Sequence, residues 1–441
     1  MSKHAIIKGT FILTATGFIS RVIGFFFRIF LSHNFGEEQM GLYQLIFPIY
    51  ALCYSLSCAG IETALCRCVA KKMSRGNKRE ANILLYQSLV ITAFCSLILS
   101  LTLLEFAAPL AIHVLGDLRC ELLLQVMAFI LPFSAIHSCV CGYYLGLKQT
   151  KIPAISQLIE QLARVGTVYI ICELLQSQGE TPSVWVAVLG LVAGEGVASI
   201  YCIRYFATRP HTRCSIFSLC KEHSLGENLL RLSLPLTATR VLTNLLQSVE
   251  TISIPLVLQQ YGFTGKEALQ TYGVLTGMAF PCIFFPTAIT NSVSTMLLPT
   301  VAEIEAENSL EHLKQLIRKV IYFGFGLGSI CGILFLFLGT WFGKFLFNST
   351  LAGNFLKTLA WICPFMYMNS TLISILNGLG KAHLSFLINV CGLLLRISGV
   401  FVGISLWGMY GYLNGLLISQ LVISLLCIIV LKWYISTRQL E

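Results

Sequence analysis

The sequence predicts an all-α protein that crosses a membrane about twelve times, and three observations carry that prediction. Hydrophobic residues fill 56% of the 441 positions and charged residues only 11%, against about 25% in a soluble domain. Runs of about twenty apolar residues, the length that spans a bilayer as a helix, recur along the whole chain. No long polar domain separates them, and the mean hydropathy is +0.78.

In chain order, the spans are predicted at 9–32, 41–69, 83–115, 120–146, 153–175, 183–206, 227–258, 268–300, 317–346, 351–378, 384–407 and 410–432. The start, MSKHAIIKGTFILTATGF, has the basic beginning and apolar run of a secretory signal. The apolar pattern continues through Arg21 without a small-residue cleavage site, so it is read as a retained first span. Prolines within later spans (Pro48, Pro235, Pro281, Pro286 and Pro364) predict broken or kinked helices, because each removes a backbone hydrogen bond.

The polar stretch ATRPHTRCSIFSLCKEHSLG, residues 207–226, falls near the middle and reads as a cytoplasmic connector between an N-terminal six-helix lobe, 1–206, and a C-terminal six-helix lobe, 227–441. The halves echo each other. FG, GLYQLIFPIY and VAKK in the first correspond to YG, TYGVLTGMAFPC and VAEI in the second, at an offset of about 226 to 232 residues. Six spans per half keep the two repeats in one orientation. Parallel repeats of that kind build transporters with a central site near the midplane.

The formal charge of +10 follows the predicted topology. Lys3, Lys8, Lys71, Lys72, Arg75, Lys78, Arg79, Lys148 and Lys151 lie in the N-terminal tail or after even-numbered spans. Arg209, Arg213, Lys221, Lys314, Arg318, Lys319, Lys381 and Arg438 continue the pattern, whereas the opposite loops hold little beyond Arg119, Lys266 and Lys344. The positive-inside rule therefore puts both termini in the cytoplasm and explains the charge without nucleic-acid binding. The 17 cysteines are scattered through apolar runs without the CxxC pairs of a zinc site, and they read as small packing hydrophobes. No metal is expected from them.

Charges inside spans are the candidate site, because each costs roughly 2.5–3.5 kcal/mol near the bilayer centre. Span 1 accepts two, in GFISRVIGFFFRIFL. Arg21 and Arg28 are seven apart, so they share a face within about 20° and stand about 10 Å apart along the axis. Gly17 and Gly24 lie on the same face. Such a stripe faces either a packed neighbour with acids or a cavity that receives an anion. Glu62 follows in span 2. Glu160 and Arg164 in span 5 are spaced to pair as i,i+4, a structural ion pair, and Glu195 sits among small residues in span 6. Span 7 carries Arg240, Asn244, Gln247 and Glu250, and span 11 places Asn389, Gly392 and Arg396 on one face. Arg21, Arg28, Arg164, Arg240 and Arg396 against Glu62, Glu160, Glu195 and Glu250 leave one net positive charge. Guanidinium forks suit phosphate oxygens, so the substrate-binding candidates are Arg21, Arg28, Glu62, Arg240, Asn244 and Arg396.

The runs IKGTFILTATGFISRVIGFFFRIFLSHNFG, MGLYQLIFPIY, GIETALCRCVAKKMSRGN and QTKIPAISQLIEQLARV resemble the stage V sporulation protein B-like polysaccharide transporters. That group belongs to the flippase superfamily that also holds the lipid II flippases and the multidrug and toxin extruders. The resemblance implies two six-helix lobes and alternating-access export of an undecaprenyl-pyrophosphate-linked sugar across the bacterial cytoplasmic membrane. It implies that Arg21, in the SRV run, matches an essential arginine. Arg28 falls one residue later than the next family arginine, about 100° around the helix. Where the family has an arginine before the FP of span 8, this chain has Thr276 and Gly277, so Arg240 or Arg396 is the expected compensation. The resemblance also points to Glu250 and Asn389 as ion-coupling groups, for sodium or a proton.

The expected function is a flippase for lipid II or a related wall or spore polysaccharide precursor, not an enzyme, and with no cofactor beyond that coupling ion. Membrane lipids and the wall-synthesis machinery are its expected partners, and nucleic acid is not. A multidrug extruder would present acids to organic cations, whereas span 1 presents arginines. A membrane glycosyltransferase or ligase would need substantial outer loops, and those here are short, as in SHNFGEEQ. No Gly-rich phosphate loop points to ATP.

Overall fold

A single glycine bends the first helix. In the computed structural model, which describes residues 3–208, 223–307 and 309–440, helix α1 runs Lys3–Leu45 with one non-helical residue, Gly36, at φ 75 and ψ 177. A side chain there would meet the steric barrier of positive φ, which glycine lacks. After Ile46, α2 (Phe47–Tyr54) restarts with Pro48 in its first turn, where the missing N–H costs nothing. A π-helical turn, Ser55–Ala59, leads into α3 (Gly60–Ser74).

Helices α4 (Lys78–Glu105), α5 (Cys120–Ala128), α6 (Ile130–Gly146), α7 (Lys151–Ser177) and α8 (Trp185–Ala207) follow. After residues 209–222 comes α9 (His223–Tyr261), a long helix that continues through Pro235, so the kink predicted there is not a break. Then come α10 (Gly265–Gly273), a π-helical turn Val274–Ala279, α11 (Phe280–Phe284) and α12 (Thr287–Ala306). The chain closes with α13 (Leu310–Phe347), α14 (Thr350–Leu359), α15 (Cys363–Gly378), α16 (Ala382–Ser398) and α17 (Met409–Leu440). The predicted breaks at Pro281, Pro286 and Pro364 coincide with short helices and restarts. Gly265–Phe284 and Thr287–Glu305 meet at 55°, and Pro364 sits in the first turn of α15.

The all-α membrane class is observed: the described residues are almost entirely helical and contain no strand. Eight helices among them are long and apolar enough to cross a membrane, or ten if each of two bent pairs is one span. The count differs from twelve at two places. Ile12–Ser74 is a single continuous stretch that holds two predicted spans. The predicted fifth span is α7, whose polar run SQLIEQLAR lowers its hydropathy.

Two compact units divide the chain: Met1–Phe27 with Leu42–Ser248, and Arg28–Gly41 with Val249–Glu441. The division differs from the expected lobes 1–206 and 227–441. It falls inside α1 and inside α9. The expected connector lies largely outside the described residues, which omit 209–222.

Within the first unit, α3, α4, α6, α8 and the start of α9 bury Leu65, Val69, Leu84, Tyr143, Cys202 and Leu229. Helix α7 lies along α8. It does so because Gly190 and Gly194 give it room: a Cβ at either would strike Arg164, Glu160 or Val168 of α7. Small residues one turn apart are the usual means of close helix approach in lipid. Within the second unit, α12, α13, α15, α16 and α17 bury Val301, Leu313, Leu372, Ile375, Cys427 and Leu431.

Candidate functional site

The glycine–arginine stripe of α1 begins on an open face. A Cβ built on Gly17 or Gly24 meets no heavy atom within 4 Å, so a side chain at either position would stand in open space. Arg21, between them, is exposed. Of the two expected readings of this stripe, the packed one is not observed at the glycines. The stripe is also divided: Arg21 belongs to the first unit, and Arg28 opens the stretch that belongs to the second.

Arg28 is half-buried and donates from a terminal nitrogen to the carbonyl of Thr276 at 3.4 Å. Thr276 lies in the π-helical turn between α10 and α11, the position where the resemblance expects an arginine of its own. A guanidinium from α1 therefore lies at this turn. Arg240 and Arg396 are engaged within their own units, at Thr63 and at Glu250.

Glu62, Arg240 and Asn244 come together in the first unit. Glu62 accepts a hydrogen bond from the Tyr54 hydroxyl at 3.3 Å, and the Arg240 guanidinium acts on its carboxylate electrostatically. Arg240 donates to Thr63 Oγ1 at 3.0 Å. Asn244 donates to the Ala51 carbonyl at 3.2 Å and to the Ser55 hydroxyl, and Ser248 donates to the Pro48 carbonyl at 3.3 Å. Helix α9 can approach this closely because residue 60 is glycine: a Cβ there would collide with Thr237 and Ser233. The polar side of α9 therefore serves the broken α2–α3 backbone, as irregular backbone at membrane depth requires. Arg240 remains exposed.

Glu250 and Asn389 are not joined. Glu250, buried in the second unit, pairs with Arg396 at 3.3 Å and accepts from Tyr412 at 2.8 Å. Asn389 is exposed and donates to the Ser385 carbonyl one turn back. The reason is register. Arg396 is seven residues beyond Asn389 on α16, about 10 Å along the axis, and Glu250 meets α16 at the level of Arg396. The expected carboxylate–amide cage for a cation is replaced by a carboxylate–guanidinium–phenol cluster, and Arg396, counted as a substrate cation, is already paired.

Glu160 and Arg164 do pair, one turn apart on α7. Beside them lies a group that the sequence reading missed. His137 on α6 meets the Glu195 carboxylate through Nδ1 at 2.9 Å and the Ser156 hydroxyl through Nε2 at 3.0 Å. The signal was available, since His137 is an ionisable residue inside an apolar span. Tyr54 and Tyr412 were missed because tyrosine in an apolar span carries no charge to mark it.

The family described as polysaccharide biosynthesis protein matches residues 6–305, and the MatE family matches residues 240–402. Stage V sporulation protein B of Bacillus subtilis (strain 168) is 30% identical over 409 residues, 91% of this chain and 78% of that protein. The lipid II flippase MurJ of the same organism is 24% identical over 169 residues, 36% of this chain and 31% of that one. Among solved structures, an inward-facing MATE family transporter of the MOP superfamily superposes with a TM-score of 0.77 at 14% identity, covering 95% of each chain. The inward closed lipid II flippase MurJ superposes with a TM-score of 0.72 at 16% identity, covering 95% of this chain and 87% of that one. The fold is that of these transporters.

Proposed function

The chain belongs to the polysaccharide biosynthesis protein family, and from that premise we propose that it is a flippase for an undecaprenyl-pyrophosphate-linked saccharide, lipid II or a related wall or spore precursor. It works by alternating access in the bacterial cytoplasmic membrane, with both termini in the cytoplasm. The observation that carries the reading is an exposed arginine, Arg21, in an apolar helix between Gly17 and Gly24, whose Cβ positions face open space. An arginine inside an apolar span marks a substrate or ion path by default, and such a path calls for negative charge or water along it. A pyrophosphate meets that need with paired oxygens matched to the guanidinium fork. Arg28, at Thr276, supplies a second cation.

Its partners are the lipid-linked substrate, the surrounding lipids and the wall-synthesis machinery that makes and consumes the substrate. The cargo crosses without a covalent step. The relatives support this class: one carries the name lipid II flippase and another that of a sporulation protein. The family-level alternative, an extruder of organic cations, fits an arginine face poorly.

Sodium or a proton is the proposed coupling ion, with Glu250 as the acid that receives it. Arg396 holds that carboxylate, so an ion at Glu250 and the Arg396 pair exclude each other. Such exclusion lets an ion favour one arrangement by its differential affinity.

The test is complementation of a strain depleted of its lipid II flippase, together with translocation of lipid II in vesicles holding the purified protein. Growth and translocation are expected. A protein that fails both, moves no other undecaprenyl-pyrophosphate saccharide and exports cationic dyes would overturn the proposal.

A further inference from the structure

Two helices of the first unit bring a histidine and two cysteines to one point. His137 and Cys141 lie one turn apart on α6, and Cys202 lies on α8. An imidazole nitrogen and the two sulfurs all lie within 4.8 Å of one another. Both cysteines are free, and both are buried. We propose that His137 Nε2, Cys141 Sγ and Cys202 Sγ bind a zinc ion.

The donor set fits zinc in number, softness and charge. Two thiolates and one neutral imidazole are a recurrent zinc ligand set that leaves a fourth position open, and thiolate is the ligand that selects zinc over the hard cations. Two thiolates also cancel the charge of a divalent ion, which a buried site in a low-dielectric surround requires. Bonds of about 2.3 Å to sulfur and 2.0–2.1 Å to nitrogen, in a tetrahedron, need donors roughly 3.6–3.8 Å apart. The existing spacing closes to that with shifts of about 1 Å or less. Binding converts two thiols and one Zn²⁺ to a bis-thiolate complex and releases two protons to water.

The surroundings of His137 supply the independent observation. Its Nδ1 is held by the Glu195 carboxylate at 2.9 Å. A carboxylate on the far nitrogen of a ligating histidine is the usual second shell of zinc, because it sets the tautomer and raises the basicity of the other nitrogen. With the proton on Nδ1, the Nε2 lone pair points to the cysteine side. There it accepts from Ser156 at 3.0 Å. The Ser156 hydroxyl has a second acceptor, the Pro153 carbonyl at 3.0 Å, so it can release Nε2 to a metal without being left unsatisfied.

The alternative set of one imidazole and two carboxylates, His137 with Glu160 and Glu195, is already engaged: Glu160 pairs with Arg164 and Glu195 with His137. The imidazole is not sealed in, with 14% of its side chain exposed. The lack of a CxxC pattern in the sequence is explained by geometry. On helices, ligands on one face are spaced by four, as 137 and 141 are, and the third comes from another helix.

Cobalt is the probe, titrated into the purified full-length protein in detergent and then displaced by zinc. The parent is expected to bind one equivalent with a thiolate-to-cobalt charge-transfer band, which zinc removes. Cys141→Ser and Cys202→Ser should each lose the band. Glu195→Gln should keep it with about 10–100-fold weaker affinity, and Cys427→Ser, in the second unit, should change nothing. A second measurement needs only the parent: zinc should slow maleimide labelling of Cys141 and Cys202, read by peptide mass spectrometry. A parent without the band, a band that survives both Cys141→Ser and Cys202→Ser, or labelling of the two thiols that zinc does not slow, would each overturn the site.

Discussion

The Arg396 guanidinium lies 3.3 Å from the Glu250 carboxylate, and the Tyr412 hydroxyl closes on the same carboxylate at 2.8 Å. The acid is buried, with 6% of its side chain exposed, while the arginine keeps 27%. Removing one member of such a pair strands the other charge, which costs about 3–5 kcal/mol. Glu250→Gln is therefore expected to lower the thermal stability of the purified protein by about that much. Adding Arg396→Gln to it should recover most of the loss. In vesicles with an imposed sodium or proton gradient, Glu250→Gln should also lose the parent's ion dependence. An unchanged rate and ion dependence would place the driving force elsewhere, in the membrane potential acting on charge at about 2.3 kcal/mol per charge per 100 mV.

Arg21 is exposed, and its neighbours Gly17 and Gly24 have open space at their Cβ positions, so an anion site on this face predicts that losing Arg21 costs transport more than folding. Arg21→Ala is expected to abolish translocation while the protein still reaches the membrane at parental levels. Arg21→Lys should recover only part of the activity, because an ammonium lacks the planar fork. Normal transport by Arg21→Ala would refute an anion site on this face.

Arg28→Ala should also stop transport, but by a different route. Arg28 bonds the Thr276 carbonyl, so its removal also strips a partner from the π-helical turn before Phe280. A modest drop in melting temperature is expected here and not for Arg21→Ala. Equal melting temperatures for the two variants would show that the Thr276 contact carries no stability.

Arg164 pairs with Glu160 where α7 packs on Gly190 and Gly194 of α8. Arg164→Ala should lower the amount of folded protein in the membrane. The double variant with Glu160→Gln should express better than Arg164→Ala alone, since no unpaired carboxylate is left. If Arg164→Ala expresses normally but fails to transport, the pair belongs to the site and not to the scaffold.

The orientation has its own test. A reporter fused after Lys78, at the start of α4, should read cytoplasmic, and one fused after Glu38, just past the Gly36 break, should read external. The same reading from both would mean that the α1–α3 stretch does not cross the membrane twice.

The class of this protein was legible in the sequence because it depends on bulk properties. Apolar length and charge scarcity dictate helices that span a bilayer, since only a helix satisfies its own backbone there. Prolines marked the restarts at α2, α11 and α15, because a missing N–H acts locally. The Glu160–Arg164 pair was legible for the same reason: four residues on a helix is a fixed distance.

Pairings between helices were not legible. Whether Glu250 meets Asn389 or Arg396 depends on the register of α9 against α16, and a shift of two turns separates the outcomes. Arg21 and Arg28 share a face of one helix, yet they belong to different compact units. The same limit hid His137, Cys141 and Cys202, whose meeting depends on α6 and α8 lying side by side. The sequence by itself determined which segments are helices in lipid and where charge must be compensated. Only the tertiary structure decided which charge compensates which, because side-chain pairing across helices is set by register and rotation, and neither is encoded in any one segment.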